Sequence, residues 1–151
     1  MGLSTIVIAG GLSVALGAQQ AIFELGPGIT PPILVKSIKP QVTPEATAAG
    51  LVGWVSVETV VRIDGVVSDV RVVRSCVGRI GEKREPNGDP FRCRDSGEIA
   101  RKLTDSDPSL GLDTQAGNAV KQWVFRPALK DGKPVAVRMT IVVDFRPEVP
   151  R

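Results

Sequence analysis

The sequence predicts an α+β domain, and three observations carry that prediction. A two-stranded hairpin runs from Gly53 to Ser75, a long alternating strand from Pro134 to Phe145, and helical stretches, Pro44 to Leu51 and Leu112 to Trp123, come before each of them. On the first strand of the hairpin Val55, Val57, Thr59, Val61 and Ile63 alternate with Ser56, Glu58 and Arg62. A period of two gives one set to a core face and leaves the other to water. Asp64-Gly65 is a pair that reaches positive φ easily, so a two-residue turn is expected there. The return strand, Val66 to Ser75, is rich in β-branched residues. With 151 residues there is room for one domain with a real core and some appendages.

The chain begins with a run, Leu3 to Phe23, that holds no charged residue. As a helix it would be about 31 Å long, close to the hydrocarbon thickness of a bilayer. Residues 1–25 are therefore read as a transmembrane anchor. A signal peptide cleaved after Ala15-Leu16-Gly17 and a buried soluble helix are the other two readings. Ala9, Ser13 and Gly17, with Gly10 beside them, form a stripe of small residues on which another membrane helix could pack.

Residues 26–40 (GPGITPPILVKSIKP) are expected to be an extended tether, because proline fixes φ and biases the residue before it away from helix. Fully extended, it reaches at most roughly 50 Å. The domain proper is placed at 41–146. It opens with Thr43 as N-cap, Pro44 at the first helical position and Gly50 at the stop. In Leu112 to Trp123, Leu112, Ala116, Ala119, Val120 and Trp123 share one face, with Asp113 as the expected N-cap. Phe125 to Ala128 ends that helix and Asp131-Gly132 turns the chain. On the last strand Val135, Val137, Met139, Ile141, Val143 and Phe145 alternate with Ala136, Arg138, Thr140, Val142 and Asp144. Residues 147–151 form a polar tail.

Residues 76–111 interrupt this pattern with an even mixture of basic and acidic residues, read as an exposed insertion outside the core. Cys76 and Cys93, the two cysteines of the chain, are read as a disulfide closing it, which implies an oxidising compartment. Free buried thiols or a redox pair are the alternatives, the latter without a CxxC spacing behind it. Asp95, with Glu98 three residues on, starts a short helix through Leu103.

Composition narrows the function. The chain has no histidine, which removes the usual general base near neutral pH and the commonest zinc ligand. Nucleophile-elbow, phosphate-loop and dinucleotide motifs are lacking. Asp105 and Asp107 sit in a DSDP turn and read as solvated. The net charge of +3 comes from basic residues interleaved with acidic ones, with no aromatic platform near them. An enzyme, a cofactor, a metal site and a nucleic-acid partner are not expected.

The joints between the elements resemble the C-terminal domain of the TonB family of energy transducers. The residues that carry the resemblance are Pro40 and Pro44; Gly53, Val55 and Val57; Asp64-Gly65-x-Val67; and Val70, Val72 and Ser75. After the insertion come Leu112-Asp113, Ala119-Val120, Trp123-x-Phe125-x-Pro127-Ala128 and Gly132-Lys133-Pro134-Val135. The resemblance implies a periplasmic domain with a three-stranded antiparallel sheet and two helices on one face, here preceded by the N-terminal apolar helix. It also implies that the last strand accepts a segment of an outer-membrane transporter as an added strand. Carried over, the partner-binding edge is Val135, Val137, Arg138, Met139, Ile141, Val143 and Phe145. Edge pairing draws affinity from the main chain and selectivity from alternate side chains; the other reading of Arg138 and Asp144 is as guards against aggregation. The chain departs from the family in having Thr43-Pro44 where a Tyr-Pro pair is frequent, in the insertion, and in the short tether. Two roles follow: a membrane-anchored, non-catalytic module of the periplasm coupling to outer-membrane transport, or an accessory subunit that stabilises an integral inner-membrane complex. If the leader is cleaved, the protein is soluble in the periplasm.

Overall fold

The computed structural model describes residues 20–79, 91–101 and 109–146. The small-residue stripe Ala9, Gly10, Ser13 and Gly17, most of the apolar run, the middle of the insertion and the tail lie outside the described residues.

Three strands make the frame, and they are the three expected. β1 to β3 are short segments near the start, Ile22–Glu24, Ile29–Thr30 and Ile33–Lys36; helix α1 is Pro44–Ala48, and the hairpin strands are β4, Leu51–Val61, and β5, Val67–Arg79. The insertion contributes β6, Arg92–Asp95, and α2, Ser96–Arg101, followed by α3, Leu112–Val120. Two short strands, β7 (Val124–Arg126) and β8 (Ala128–Lys130), lead into the long β9, Lys133–Asp144. β4 lies between β5 and β9, antiparallel to both. Val55, Val57, Val61, Val137, Ile141, Val143 and Phe145 are buried from these strands. They form one core with Ala46 of α1 and Leu112, Ala116 and Val120 of α3, so these two helices cover a single face.

The sheet is larger than three strands. Seven strands join it, in the order β2-β8-β9-β4-β5-β6, with β1 added parallel to β9; β3 and β7 form a separate pair. Strands of two to four residues have no readable period, and their pairing comes from neighbours distant in the chain. The parallel β1 makes the sheet mixed.

Residues 22–38, read as the end of the anchor and the tether, are thus part of the domain. Ile22 and Phe23, the last of the apolar run, belong to β1 and not to a helix. Among the described residues no helix is long and apolar enough to cross a membrane. The stretch 26–40 is extended, as its prolines require, but it is docked: β2 pairs with β8, β3 with β7, and the Trp123 indole N–H donates to Ile38 O at 2.9 Å.

The hairpin turn is longer than the two-residue form. Gly65 N donates to Arg62 O and Arg62 N to Val66 O, both at 2.9 Å, enclosing Ile63, Asp64 and Gly65. Gly65, at φ 79°, is the left-handed residue that a three-residue loop needs after its type I turn. Ile63, expected in the core, is exposed at this tip. Two register shifts between β4 and β5 place bulges in the return strand, one of them at Asp69, whose φ is 50°.

The helices follow their local signals with one exception. Thr43 Oγ1 accepts from Ala46 N at 3.2 Å and donates to Leu110 O at 2.6 Å, so this threonine caps α1 and also holds the entry to α3. Asp95 and Glu98 form the reciprocal capping box of α2, with Glu98 N donating to Asp95 Oδ1 at 2.9 Å and Asp95 N to Glu98 Oε2 at 3.3 Å. Asp113, by contrast, does not cap α3. Gly111 takes that position, and Asp113 is buried in the first turn, paired with Arg94 Nη2 of β6 at 3.1 Å. Helix α3 ends at Val120, before Trp123, because the chain must turn to supply β7.

Candidate functional site: the outer edge of the last strand

The direction of each backbone group on β9 can be worked out from one bond. Phe145 N donates to Gly53 O at 2.8 Å, and Val143, Ile141, Met139 and Val137 stand opposite Val55, Val57, Thr59 and Val61. Bonded and non-bonded pairs alternate along an antiparallel ladder. The N–H and C=O of these odd-numbered residues therefore face β4, and those of Ala136, Arg138, Thr140, Val142 and Asp144 face outward. Gly53 sits here because a side chain would not fit: at φ 149° its Cβ would lie 2.0 Å from Cys76 O.

The strand has three parts. Val135 is inside the β8–β9 hairpin, opposite Ala128, and by the same alternation its N–H and C=O do not face outward. Ala136, Val137 and Arg138 are covered by Ile22, Phe23 and Glu24 of β1. From Met139 to Phe145 the outer side has no strand partner among the described residues. The expected edge is thus open along its second half and occupied along its first. At the far end it runs into a groove lined by Pro40, Val42, Thr47, Leu51 and Phe145, with Lys39 and Arg146 at the rim.

Side chains divide by face. Val137, Ile141, Val143 and Phe145 point into the core, so an added strand would not touch them, while Val142 is 60% exposed on the opposite face beside Thr140. Arg138 and Asp144 are both engaged. Arg138 bridges Glu58 at 3.2 Å and Glu24 at 3.5 Å, and Glu58 also accepts from Arg71 at 2.6 Å. Alternating charges thereby cross four strands, from β5 through β4 and β9 to β1. The Arg71 hydrogen bond, helped by Arg138, holds the Glu58 carboxyl below its usual range despite partial burial. Asp144 accepts from Arg146 Nε at 2.9 Å, and that contact likewise lowers its pKa.

Cys76 and Cys93 are joined as a disulfide, directly opposite one another on β5 and β6. The ends of the insertion are core and not excursion: Cys76 is fully buried, and Arg94 reaches Ser75 Oγ and Asp113, each at 3.1 Å. Sequence reasoning missed Phe23 and Glu24 as neighbours of the edge. Their only signal is that Glu24 ends the uncharged run after Phe23, which is too little to read as a strand.

Two of the joints meet in space. Gly65 O accepts from Phe125 N at 2.9 Å, and a Cβ on Gly65 would lie 1.9 Å from Phe125 O. The Asp-Gly of the hairpin and the Trp-x-Phe-x-Pro-Ala after α3 are therefore two sides of one contact. Comparisons with known proteins agree with these marks. Residues 95–147, which include the second of them and all of β9, match the family model described as Gram-negative bacterial TonB protein C-terminal. Protein TonB of Vibrio cholerae serotype O1 is 41% identical over 51 residues, 34% of this chain and 21% of that protein, so the match spans about a fifth of the relative's length. The solution NMR structure of Pseudomonas aeruginosa TonB CTD superposes with a TM-score of 0.47 at 22% identity, covering 83% of this chain and 93% of that one. From Asp95 onward, through α3 and β9, the chain is thus similar to the TonB C-terminal family.

Proposed function

We propose that the domain is a protein-binding module of the periplasm that pairs, along the outer edge of β9, with an extended segment of an outer-membrane transporter. It works by contact and not by catalysis. The observation that supports this reading above the others is the outward backbone of Thr140, Val142 and Asp144, a row of donors and acceptors with no strand across from it among the described residues. Such an edge is a template for one more strand. The Cys76–Cys93 disulfide fits the oxidising periplasm.

The test is titration of the oxidised protein with peptides from the periplasm-facing segments of outer-membrane transporters of the same bacterium. Proline at Val142 removes an outward N–H and should weaken binding about tenfold or more while the sheet stays folded. Proline at Val137 or Ile141 is a poorer probe, because those amides face β4. Full affinity in Val142→Pro and Thr140→Pro alike would refute strand addition.

A second reading is favoured by the docked segment 22–38, since the stretch read as a tether is paired with the sheet along its described length. The domain would then be an accessory subunit of an integral membrane complex. Under that reading Ser13→Leu with Gly17→Leu releases the protein from a complex that otherwise co-purifies in fixed ratio. Retention at full stoichiometry argues against it.

A further inference from the structure

We propose that β1 is an internal competitor for the binding edge, a removable strand that must leave before a partner can pair with β9 beyond its open half. This inference rests on the strand-addition reading and says how that site is regulated. A strand has two edges. β4 holds the inner edge of β9 for its whole core-facing length, and β1 lies on the outer edge at Ala136 to Arg138. With β1 in place an incoming strand has the outward groups of Thr140, Val142 and Asp144. With β1 removed it gains those of Ala136 and Arg138.

The hold on β1 is light and local. The strand is three residues long. Glu24 meets Arg138 at 3.5 Å with its own side chain 76% exposed, and Ile22 is exposed as well. The firmest contact is Phe23, part-buried against the core with Lys130 Nζ 4.4 Å from its ring centre. Arg138 does not depend on β1 for a partner, since Glu58 keeps it. Losing β1 therefore strands no charge.

The competitor also stays tethered after release. Between β1 and β2 the chain turns through Gly26, Pro27 and Gly28, with Ile29 N bonded to Gly26 O at 3.2 Å and Gly28 at φ 80°. β2 and β3 are independently paired with β8 and β7. A displaced β1 thus remains at high effective concentration beside its own site, and it closes again when the partner goes. A partner must pay for the displacement, so its apparent affinity falls by the fraction of molecules with the edge free.

The experiment uses the whole oxidised chain and, as probe, the tightest-binding transporter peptide from the titration above, with backbone amide shifts as a second readout. Glu24→Arg sets two cations against each other at an exposed position, and Phe23→Ala removes the anchoring ring. Both variants should bind about tenfold tighter than the parent, with peptide-induced shifts that spread from Thr140 and Val142 to Ala136 and Arg138. Should Phe23→Ala fail to fold, Glu24→Arg decides alone. Equal affinity in parent and variants, with shifts at Thr140 to Asp144 throughout, would overturn the competitor and leave strand addition standing. No binding to either the parent or Glu24→Arg would overturn both.

Discussion

Gly65→Ala tests the joint that links the hairpin tip to the strand after α3, and Gly132→Ala is its internal control. Both glycines lie in the left-handed region, at φ 79° and 75°. At Gly132 a Cβ meets nothing within 4 Å, so alanine there costs only the backbone strain, about 1 kcal/mol. At Gly65 the same strain is joined by a Cβ 1.9 Å from the Phe125 carbonyl oxygen. That atom is backbone and cannot swing aside. Relief requires β7 to move away, which breaks the Phe125 N to Gly65 O bond, about 1 kcal/mol, and loosens a phenyl ring that is only 6% exposed. Partial loss of that packing adds at least another 1 kcal/mol or so, given that removing a buried Phe outright costs about 3–5 kcal/mol. Gly65→Ala should therefore lose about 3 kcal/mol and Gly132→Ala about 1 kcal/mol. Urea unfolding of the oxidised protein, followed by tryptophan fluorescence at unchanged slope, measures both. If the two variants agree within about 0.5 kcal/mol, the contact between the two joints is not a stabilising one and the argument fails.

Three further outcomes follow from the same structure. Replacing Arg94 by Met should cost about 3 kcal/mol, because it leaves the Asp113 carboxylate without its buried cation; the double variant with Asp113→Leu should recover part of that loss, and a cycle of urea midpoints measures the recovery. Cys76→Ala with Cys93→Ala should cost about 3 kcal/mol through the closed loop alone, read as a lower midpoint relative to the oxidised parent. The folded-state pKa of Glu58 lies below its unfolded value of 4.5, so its contribution is present above pH 4.5 and is lost as pH falls through the folded value. The midpoint difference between the parent and Glu58→Gln should accordingly shrink on going from pH 6 to pH 3, and a constant difference would show that the Arg71 and Arg138 contacts do not favour the ionised form.

What was legible in the sequence was local. The alternation of Val55 to Val61 and Val135 to Phe145 set the long strands and their buried faces, since side chains at every second position must share a face. Thr43-Pro44, and Asp95 with Glu98, set two helix starts, since a cap and its amide donor are only three residues apart. Tertiary structure decided everything that depends on which backbone finds which. Residues 22–38 look like leader and tether in one dimension, because strands of two to four residues carry no period and proline describes an extended chain whether it is free or docked. Asp113 looks like a cap, and only β6 arriving beside α3 with Arg94 makes it a buried counter-ion. The binding edge shows the difference most plainly: alternation determines where the side chains of β9 point, but whether its outward N–H and C=O groups are free depends on the partner strand, and here the chain's own residues Ile22 to Glu24 cover two of the five outward residues, Ala136 and Arg138.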